Sequence, residues 1–193
     1  MNLEEEFILR ELKTLSVKIG NNNDYIQATG GNTSCKTLKK MWVKASGKAL
    51  KDALDENIFV SVDHKKIIKD LYLEKDKESK RKALNKTNLR VSIETEMHAI
   101  MDEKFVIHSH PIDLIAQTVI PKAKNTLKEK LKDYSWLWIE YTKPGTKLAK
   151  RINQSIKNKK INILILENHG LVVGGDDVDK VISLHKSIVD LLY

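Results

Sequence analysis

Two histidines separated by one residue are the first feature of the sequence that could do chemistry. His108 and His110 lie in the short apolar run 105–110, which predicts a β-strand ended by Pro111. Because side chains alternate along a strand, both imidazoles would project from one face. They could then reach one metal ion about 2.0–2.1 Å from each ring nitrogen. The pair alone does not distinguish metal ligands from one packed and one exposed histidine.

A third histidine follows the most apolar stretch of the chain. The run 161–166 predicts a buried strand, and Glu167-Asn168-His169-Gly170 comes directly after it. Binding sites gather at strand ends in open α/β sheets, so His169 is a candidate third ligand. It could also simply cap the turn before Gly170. Three histidines leave one coordination position for water or substrate, as catalytic zinc sites do.

An acidic residue accompanies the histidines. Glu94 lies near the start of a predicted helix over residues 92–101, with Ser92 as its N-cap, where the helix dipole stabilises a carboxylate. First-turn helix stabilisation is the alternative role for Glu94. His98, four residues on, shares the helix face of Glu94, which favours a structural pairing over a fourth ligand. Glu96 is expected to be solvated.

A set of glycine and small polar residues is suited to holding an anion. Backbone N–H groups in glycine turns and at helix starts bind phosphate oxygens readily, and a lysine adds a point charge. No GxxxxGK[ST] pattern occurs, so the set is not a Walker A loop. The candidates are Gly31, Asn32, Lys44, Ser46, Gly47 and Ser92.

The elements that must position these residues alternate between helix and strand without a repeat period. Apolar patterning predicts helices over residues 3–19, 112–119 and 146–156, a last helix from Asp176 or Asp177 to Leu192, and strands over 41–44, 58–62 and 136–141. The run 63–86 carries charges of both signs, which indicates an exposed helix or a mobile loop. Residues 1–193 are predicted to form a single α/β or α+β domain.

Composition excludes several classes of function. The 193 residues are 41% hydrophobic, enough for a buried core, and 34 Lys plus Arg against 26 Asp plus Glu give a net charge of +8. This charge suggests a nucleic-acid partner, but no helix-turn-helix, RNP-like or zinc-finger spacing supports one. No apolar run could span a membrane, the N-terminus lacks the order of a secretory signal, and the lone Cys35 excludes an intrachain disulfide framework. A cytoplasmic protein without membrane or nucleic-acid partners is expected.

Taken in order, six short motifs resemble the class II aldolase/adducin family, which includes fuculose- and rhamnulose-phosphate aldolases and ribulose-phosphate 4-epimerase. The resemblance extends over roughly residues 5–190. The motifs occupy residues 28–34, 42–47, 92–95, 106–111, 141–145 and 166–172.

The resemblance implies a fold and a role for each candidate residue. The fold would be a three-layer α/β/α sandwich around a mostly antiparallel sheet, often in a homotetramer with sites at subunit interfaces. Glu94 matches the catalytic base, Lys44 the lysine of the epimerase branch, and Ile93 replaces a second serine of several relatives. The matching zinc ligands are His108, His110 and His169. The matching phosphate positions are Gly31, Asn32, Ser46, Gly47 and Ser92. A tyrosine proton donor is also implied, with Tyr134, Tyr141 and Tyr193 as candidates.

The hypothesis that follows is an aldolase-type lyase with one Zn²⁺ per subunit, or another divalent metal. It would cleave or form a carbon–carbon bond in a phosphorylated ketose through a metal-stabilised enediolate, with Glu94 as base. Glutamate rather than aspartate at position 94 favours aldolase over epimerase. The alternatives are a sugar-phosphate 4-epimerase, dehydratase or decarboxylase of the family, and a non-catalytic adducin-like scaffold. A scaffold has no reason to retain three histidines together with Glu94.

Overall fold

The structure, a computed structural model, describes residues 3–73 and 82–192. Its helices are α1 (Leu3–Gly20), α2 (His64–Tyr72), α3 (Thr95–Ile100), α4 (Ile112–Thr118), α5 (Ala123–Lys130), α6 (Thr146–Ile156) and α7 (Val178–Leu191), with a 3₁₀ turn at Leu50–Asp52. Its strands are β1 (Asn32–Lys36), β2 (Met41–Lys44), β3 (Phe59–Val62), β4 (Phe105–Ser109), β5 (Trp136–Ile139), β6 (Ile163–Leu166) and β7 (Gly170–Gly175).

The strands form one seven-stranded sheet in the order β3-β2-β1-β4-β7-β6-β5. Every neighbouring pair is antiparallel except β5 and β6, which are parallel. The predicted mostly antiparallel sheet is therefore confirmed, and the sheet is mixed. Strand β4 lies at its centre, where His108 is opposite Asn32 of β1 and Val172 of β7.

Helices cover both faces of the sheet, which confirms the predicted three-layer arrangement. Alternate residues of β4 show the division: Phe105 and Ile107 belong to one core, and Val106 to another. The first core takes in buried side chains of α1, α4, α5 and α7, because their apolar stripes face that side of the sheet. The other face packs against α2, α3 and α6.

The strands and helices differ from the sequence predictions mainly where apolar patterning is weak. Helix α5 is not predicted because its lysine-rich sequence buries only Ala123 and Leu127. Strand β7 is not predicted either, since it begins and ends in glycine. Helix α2 lies in the charged run 63–86, and the part of that prediction falling on residues 74–81 lies outside the described residues.

The helix that carries Glu94 is shorter than predicted. It begins at Thr95, with Glu94 in the N-cap position, so the prediction of Ser92 as N-cap is wrong. The Ser92 hydroxyl instead accepts a hydrogen bond from the Glu94 N–H at 3.2 Å, forming a turn ahead of the helix. The expectation of a solvated Glu96 is also wrong, because this side chain is buried and accepts a hydrogen bond from Thr146.

Within residues 3–73 and 82–192, no helix is both long enough and apolar enough to cross a membrane.

Candidate active site

His108 lies near the end of β4 in a fully buried position. Its Nδ1 is 3.0 Å from the carbonyl oxygen of Leu171 on β7. Because a carbonyl only accepts hydrogen bonds, Nδ1 must carry the ring proton. When the ring is neutral, the opposite nitrogen, Nε2, is then the one with the lone pair, the arrangement typical of a metal ligand oriented by an outer hydrogen bond.

His110 lies just past β4, which ends at Ser109, one residue earlier than predicted. Its backbone N–H donates to the carbonyl of Tyr25 at 2.8 Å, which fixes the chain as it leaves the sheet. The predicted shared face is retained, since His110 Nε2 lies 3.1 Å from His108 Nε2. Burial, then the charges of His108 and His169, lowers the pKa of His110 to about 3, so its imidazole is neutral.

His169 occupies the turn between β6 and β7. The turn needs Asn168 in a left-handed conformation (φ 49°), which asparagine tolerates better than most residues. The His169 ring centroid lies 4.9 Å from that of His108 and 5.5 Å from that of His110. The strand-end position predicted from sequence thus brings His169 to the other two histidines.

Close backbone packing holds the histidine-bearing segments together. A Cβ at Gly31 would lie 2.8 Å from the carbonyl oxygen of His108, and the positive φ of 63° further favours glycine there. A Cβ at Gly170 would lie 2.2 Å from the carbonyl oxygen of Ser109. Neither position has room for a side chain, so the two glycines allow the strands to converge.

The three histidines fit a divalent metal ion. One ligand nitrogen from each lies within 4.8 Å of the others. Two nitrogens bound at 2.0–2.1 Å to one tetrahedral ion lie about 3.3 Å apart, close to the separation of the His108 and His110 Nε2 atoms. A hydrogen bond between two imidazoles uses one N–H and one lone pair, whereas a divalent cation can accept a lone pair from all three rings at once.

Glu94 places its carboxylate against this cluster. One oxygen, Oε1, lies 3.1 Å from His169 Nε2 and 3.4 Å from His108 Nε2. The other, Oε2, accepts a hydrogen bond of 2.6 Å from the Asn32 side-chain amide. Burial by itself raises the pKa of Glu94, but the imidazoles of His108 and His169 outweigh it and hold that pKa well below its usual range. The carboxylate is therefore ionised.

Two of the candidate anion-holding residues contact Glu94. Asn32 contacts Glu94 directly, and Ser92 lies two residues before it. Ser46 and Gly47 form a turn after β2, where Gly47 has a positive φ of 77°. A Cβ at Gly47 would meet no heavy atom within 4 Å, so space is open above this turn.

Lys44 lies beneath the same turn and is only 2% exposed. Its ammonium group donates to the carbonyl oxygens of Thr29 and Lys48 at 2.7 and 2.6 Å, which joins the two loops. Burial lowers the pKa of Lys44 to about 8, and the charge of Glu94 opposes this shift. Two of its three N–H donors are thus already used by the protein.

Some residues near the site are not found by sequence motifs. His98 is fully buried and its Nδ1 lies 2.8 Å from the hydroxyl of Ser34, so its structural pairing is with Ser34 rather than with Glu94 as predicted. Arg90 donates from its guanidinium to the hydroxyl of Ser46 at 3.1 Å. Both pairs join residues far apart in sequence, where local patterns carry no signal.

A cleft of about 710 Å³ borders Glu167 and Asn168, the residues that precede His169 in its turn. It is lined by residues 118–124, Trp138, Glu140, Tyr141, Glu167 and Asn168. Tyr141 is exposed here, whereas Tyr134 packs against the first core; Tyr193 lies outside the described residues. Of the two candidate tyrosines that the structure describes, Tyr141 thus lines the cleft that borders the turn of His169.

Fold and site together define a class of protein. Residues 14–192 match the family described as the class II aldolase and adducin N-terminal domain. The chain therefore belongs to this family, and the resemblance predicted from its motifs is confirmed. The assignment of residues 1–193 to a single domain stays a prediction.

The chain covers different shares of the relatives that it resembles. A Bacillus subtilis (strain 168) protein described as "Uncharacterized oxidoreductase YuxG" is 30% identical over 184 residues, which is 87% of this chain and 26% of that protein. The chain thus spans about a quarter of that relative. The N-terminal class II aldolase domain of a conserved protein from Thermoplasma acidophilum is 26% identical, with a TM-score of 0.81, over 94% of this chain and 90% of that one.

Two solved enzymes share the fold at lower identity. The sugar-phosphate aldolase of Thermotoga maritima is 14% identical with a TM-score of 0.75, over 98% of this chain and 93% of that one. The L-fuculose-1-phosphate aldolase of Thermus thermophilus is 14% identical with a TM-score of 0.64, over 94% of this chain and 92% of that one.

Proposed function

We propose that this chain forms the active site of a divalent-metal-dependent aldolase-type lyase that acts on a phosphorylated ketose. The observation that carries the proposal is the ionised Glu94 carboxylate, 11% exposed, within 3.4 Å of two members of a three-histidine cluster. A structural scaffold gains nothing from this arrangement, because withdrawing a carboxylate and three imidazoles from most of the solvent is costly without a ligand.

The metal would be held by His108, His110 and His169, with Zn²⁺ as the first candidate because imidazole nitrogens suit it. When bound, the ion supplies a Lewis acid for a ketone carbonyl. The protein's part is to orient the imidazoles. The Leu171 carbonyl does this for His108 by holding the proton on Nδ1.

Glu94 is the proposed base. In the direction of synthesis, its carboxylate would take a proton from the carbon next to the carbonyl of a three-carbon ketone phosphate, so that this carbon can add to an aldehyde. In the direction of cleavage, Glu94 would return that proton. Asn32 holds Oε2, leaving Oε1 on the side of the histidines. The base is therefore aimed before substrate arrives, which lowers the entropic cost of the proton transfer.

The anion-holding loops would bind the phosphate. Ser46 and Gly47 border the open space next to Lys44, and Ser92 precedes the base by two residues. Gly31 and Asn32 would complete the subsite from the opposite loop. A phosphate fixed between these loops would hold the reacting carbons within reach of Glu94.

A homo-oligomer, with a tetramer as the expected state, is proposed from exposed apolar side chains near the cleft. Ile112, Val119 and Ile120 are 50 to 59% exposed, and Tyr141 is 58% exposed. Val119, Ile120 and Tyr141 line the same cleft, and exposed apolar side chains grouped in this way are typical of a surface that another chain covers.

A retro-aldol assay tests the activity over a panel of ketose 1-phosphates. The assay couples the release of dihydroxyacetone phosphate to NADH consumption. We expect metal-dependent release that disappears in His108→Ala and persists in Ser109→Ala, whose side chain faces away from the site. Products that are instead an epimer, a dehydrated sugar or carbon dioxide would assign a sister reaction to the same residues. Absence of any transition metal after reconstitution with zinc would overturn the proposal.

A further inference from the structure

We propose that Arg90 is the charged ligand of the anion subsite, its guanidinium binding the phosphate group of the substrate above the Ser46–Gly47 turn. The inference rests on the proposed phosphorylated substrate and extends it by naming the side chain that recognises the charge. None of the motifs of the sequence includes Arg90.

Two hydrogen bonds hold Arg90 against the turn. The Ser46 N–H donates to the Arg90 carbonyl oxygen at 2.9 Å, and the Arg90 guanidinium donates to the Ser46 hydroxyl at 3.1 Å. Backbone and side chain therefore both place Arg90 beside Ser46. A guanidinium carries five N–H donors, so one bond to a hydroxyl leaves most of them available.

The space next to this guanidinium is open. Gly47 is exposed, and a Cβ built on it would meet no heavy atom within 4 Å. Arg90 itself is exposed. A phosphate group could thus approach the Ser46 hydroxyl and the guanidinium together.

Three cationic side chains lie around the turn, and two of them are already engaged. Lys44 is buried and donates to two carbonyl oxygens. Lys48 forms an ion pair of 2.6 Å with Glu56. In the part of the chain that the structure describes, no carboxylate forms an ion pair with the Arg90 guanidinium. Arg90 is thus the cation whose charge is still available to a ligand.

The position of Arg90 links the anion to the base. Arg90 and Glu94 belong to one five-residue segment, in which the Ser92 hydroxyl accepts a hydrogen bond from the Glu94 N–H. A planar guanidinium can bind two phosphate oxygens at once, which fixes the direction of the group as well as its place. The phosphate would therefore be oriented by the same segment that carries the base.

The test compares two ligands that differ only in the phosphate. Dissociation constants for dihydroxyacetone phosphate and for dihydroxyacetone are measured by isothermal titration calorimetry on zinc-loaded protein. The variants are Arg90→Gln, Arg90→Lys and Lys48→Gln; the last removes the same charge from the same turn but from a side chain paired with Glu56.

We expect Arg90→Gln to weaken binding of the phosphate ligand about tenfold and that of dihydroxyacetone less than about twofold, as for loss of one charge-assisted contact. Arg90→Lys should recover part of the loss, and Lys48→Gln should stay within about twofold of the wild type. Equal effects of Arg90→Gln and Lys48→Gln, an equal loss for both ligands, or no preference of the wild type for the phosphate would each overturn the inference. The proposed function fails separately, if the phosphate ligand is preferred but no ketose phosphate is cleaved.

Discussion

The two faces of the sheet at the end of β4 both carry buried histidines, but they arrange them differently. On the α3 and α6 side, His108 meets two other imidazoles and a carboxylate. On the opposite side, Ser109 bonds the ring of His185 at 2.7 Å, and Tyr25 packs its ring against the same imidazole at 5.0 Å. Neighbouring residues of one strand thus serve two unlike environments.

The difference shows what separates a site from a packed polar core. The Nε2 atom of His185 has a partner that can complement it, since a hydroxyl both donates and accepts. The imidazoles of His108, His110 and His169 instead converge, with one nitrogen of each within 4.8 Å of the others and Glu94 Oε1 beside them. His108 and His185 are both fully buried, so the convergence of like ligands is the feature that marks function.

The largest expected effect comes from substituting His108 and Ser109, the adjacent residues of β4 whose side chains face opposite sides of the sheet. His108→Ala should lower metal affinity by more than about a hundredfold, because even outer-sphere changes cost ten- to a hundredfold. Ser109→Ala should keep the metal but lose about 1–3 kcal/mol of stability, since His185 loses its partner. Metal content after dialysis and urea unfolding measure the two quantities. Equal metal loss in both variants would contradict the division between the faces.

Glu94→Gln distinguishes the proposed base from the proposed metal ligands within the site. The amide keeps the shape of the side chain but cannot accept a proton, so turnover should fall by about a hundred- to ten-thousandfold. Metal content should stay unchanged, because the three histidines are intact. Turnover with several ketose phosphates and metal analysis of the same preparation test this. A variant that loses metal and activity together would make Glu94 a ligand rather than the base.

Asn32→Ala distinguishes two possible roles of Asn32, which are to hold Glu94 and to bind the phosphate. If Asn32 mainly holds Glu94 through its 2.6 Å hydrogen bond, kcat should fall about tenfold with little change in KM. If it mainly binds phosphate, KM should rise while kcat is retained. Steady-state kinetics decides between the two, with Asn32→Asp as the variant that places a second carboxylate next to Glu94 and should be the more damaging.

Local rules explain why the histidine cluster could be predicted. Strand alternation accounts for His108 and His110, and the end of a buried strand accounts for His169. The helix over 146–156 is found with its predicted bounds for the same reason, since its apolar spacing is visible in a short window. What depends on a few neighbouring residues is readable from sequence.

Contacts set by the order of the strands could not be predicted in this way. Strand β1 pairs with β4, which is distant in sequence, and this pairing brings Asn32 to Glu94 and Ser34 to His98. The contact of Arg90 with Ser46 arises equally from distant segments. None of these pairs has a periodic signature, because each follows from the register of the whole sheet rather than from local propensity.

The smallest expected effect is on the pH dependence of stability, and it comes from His185 on the opposite face of the sheet. Burial lowers the pKa of His185 to about 4 from an ordinary value of 6.5. The unfolded chain therefore binds this proton more readily, so the stability contribution is complete above about pH 6.5 and is lost as the pH falls toward 4. In that window the wild type should lose roughly 1.4 kcal/mol per pH unit more than His185→Gln, which cannot titrate there. Urea unfolding at pH 7, 6 and 5 measures the difference in slope. Parallel slopes for the two proteins would mean that His185 accepts a proton within the folded state, and that this face is more polar than its packing indicates.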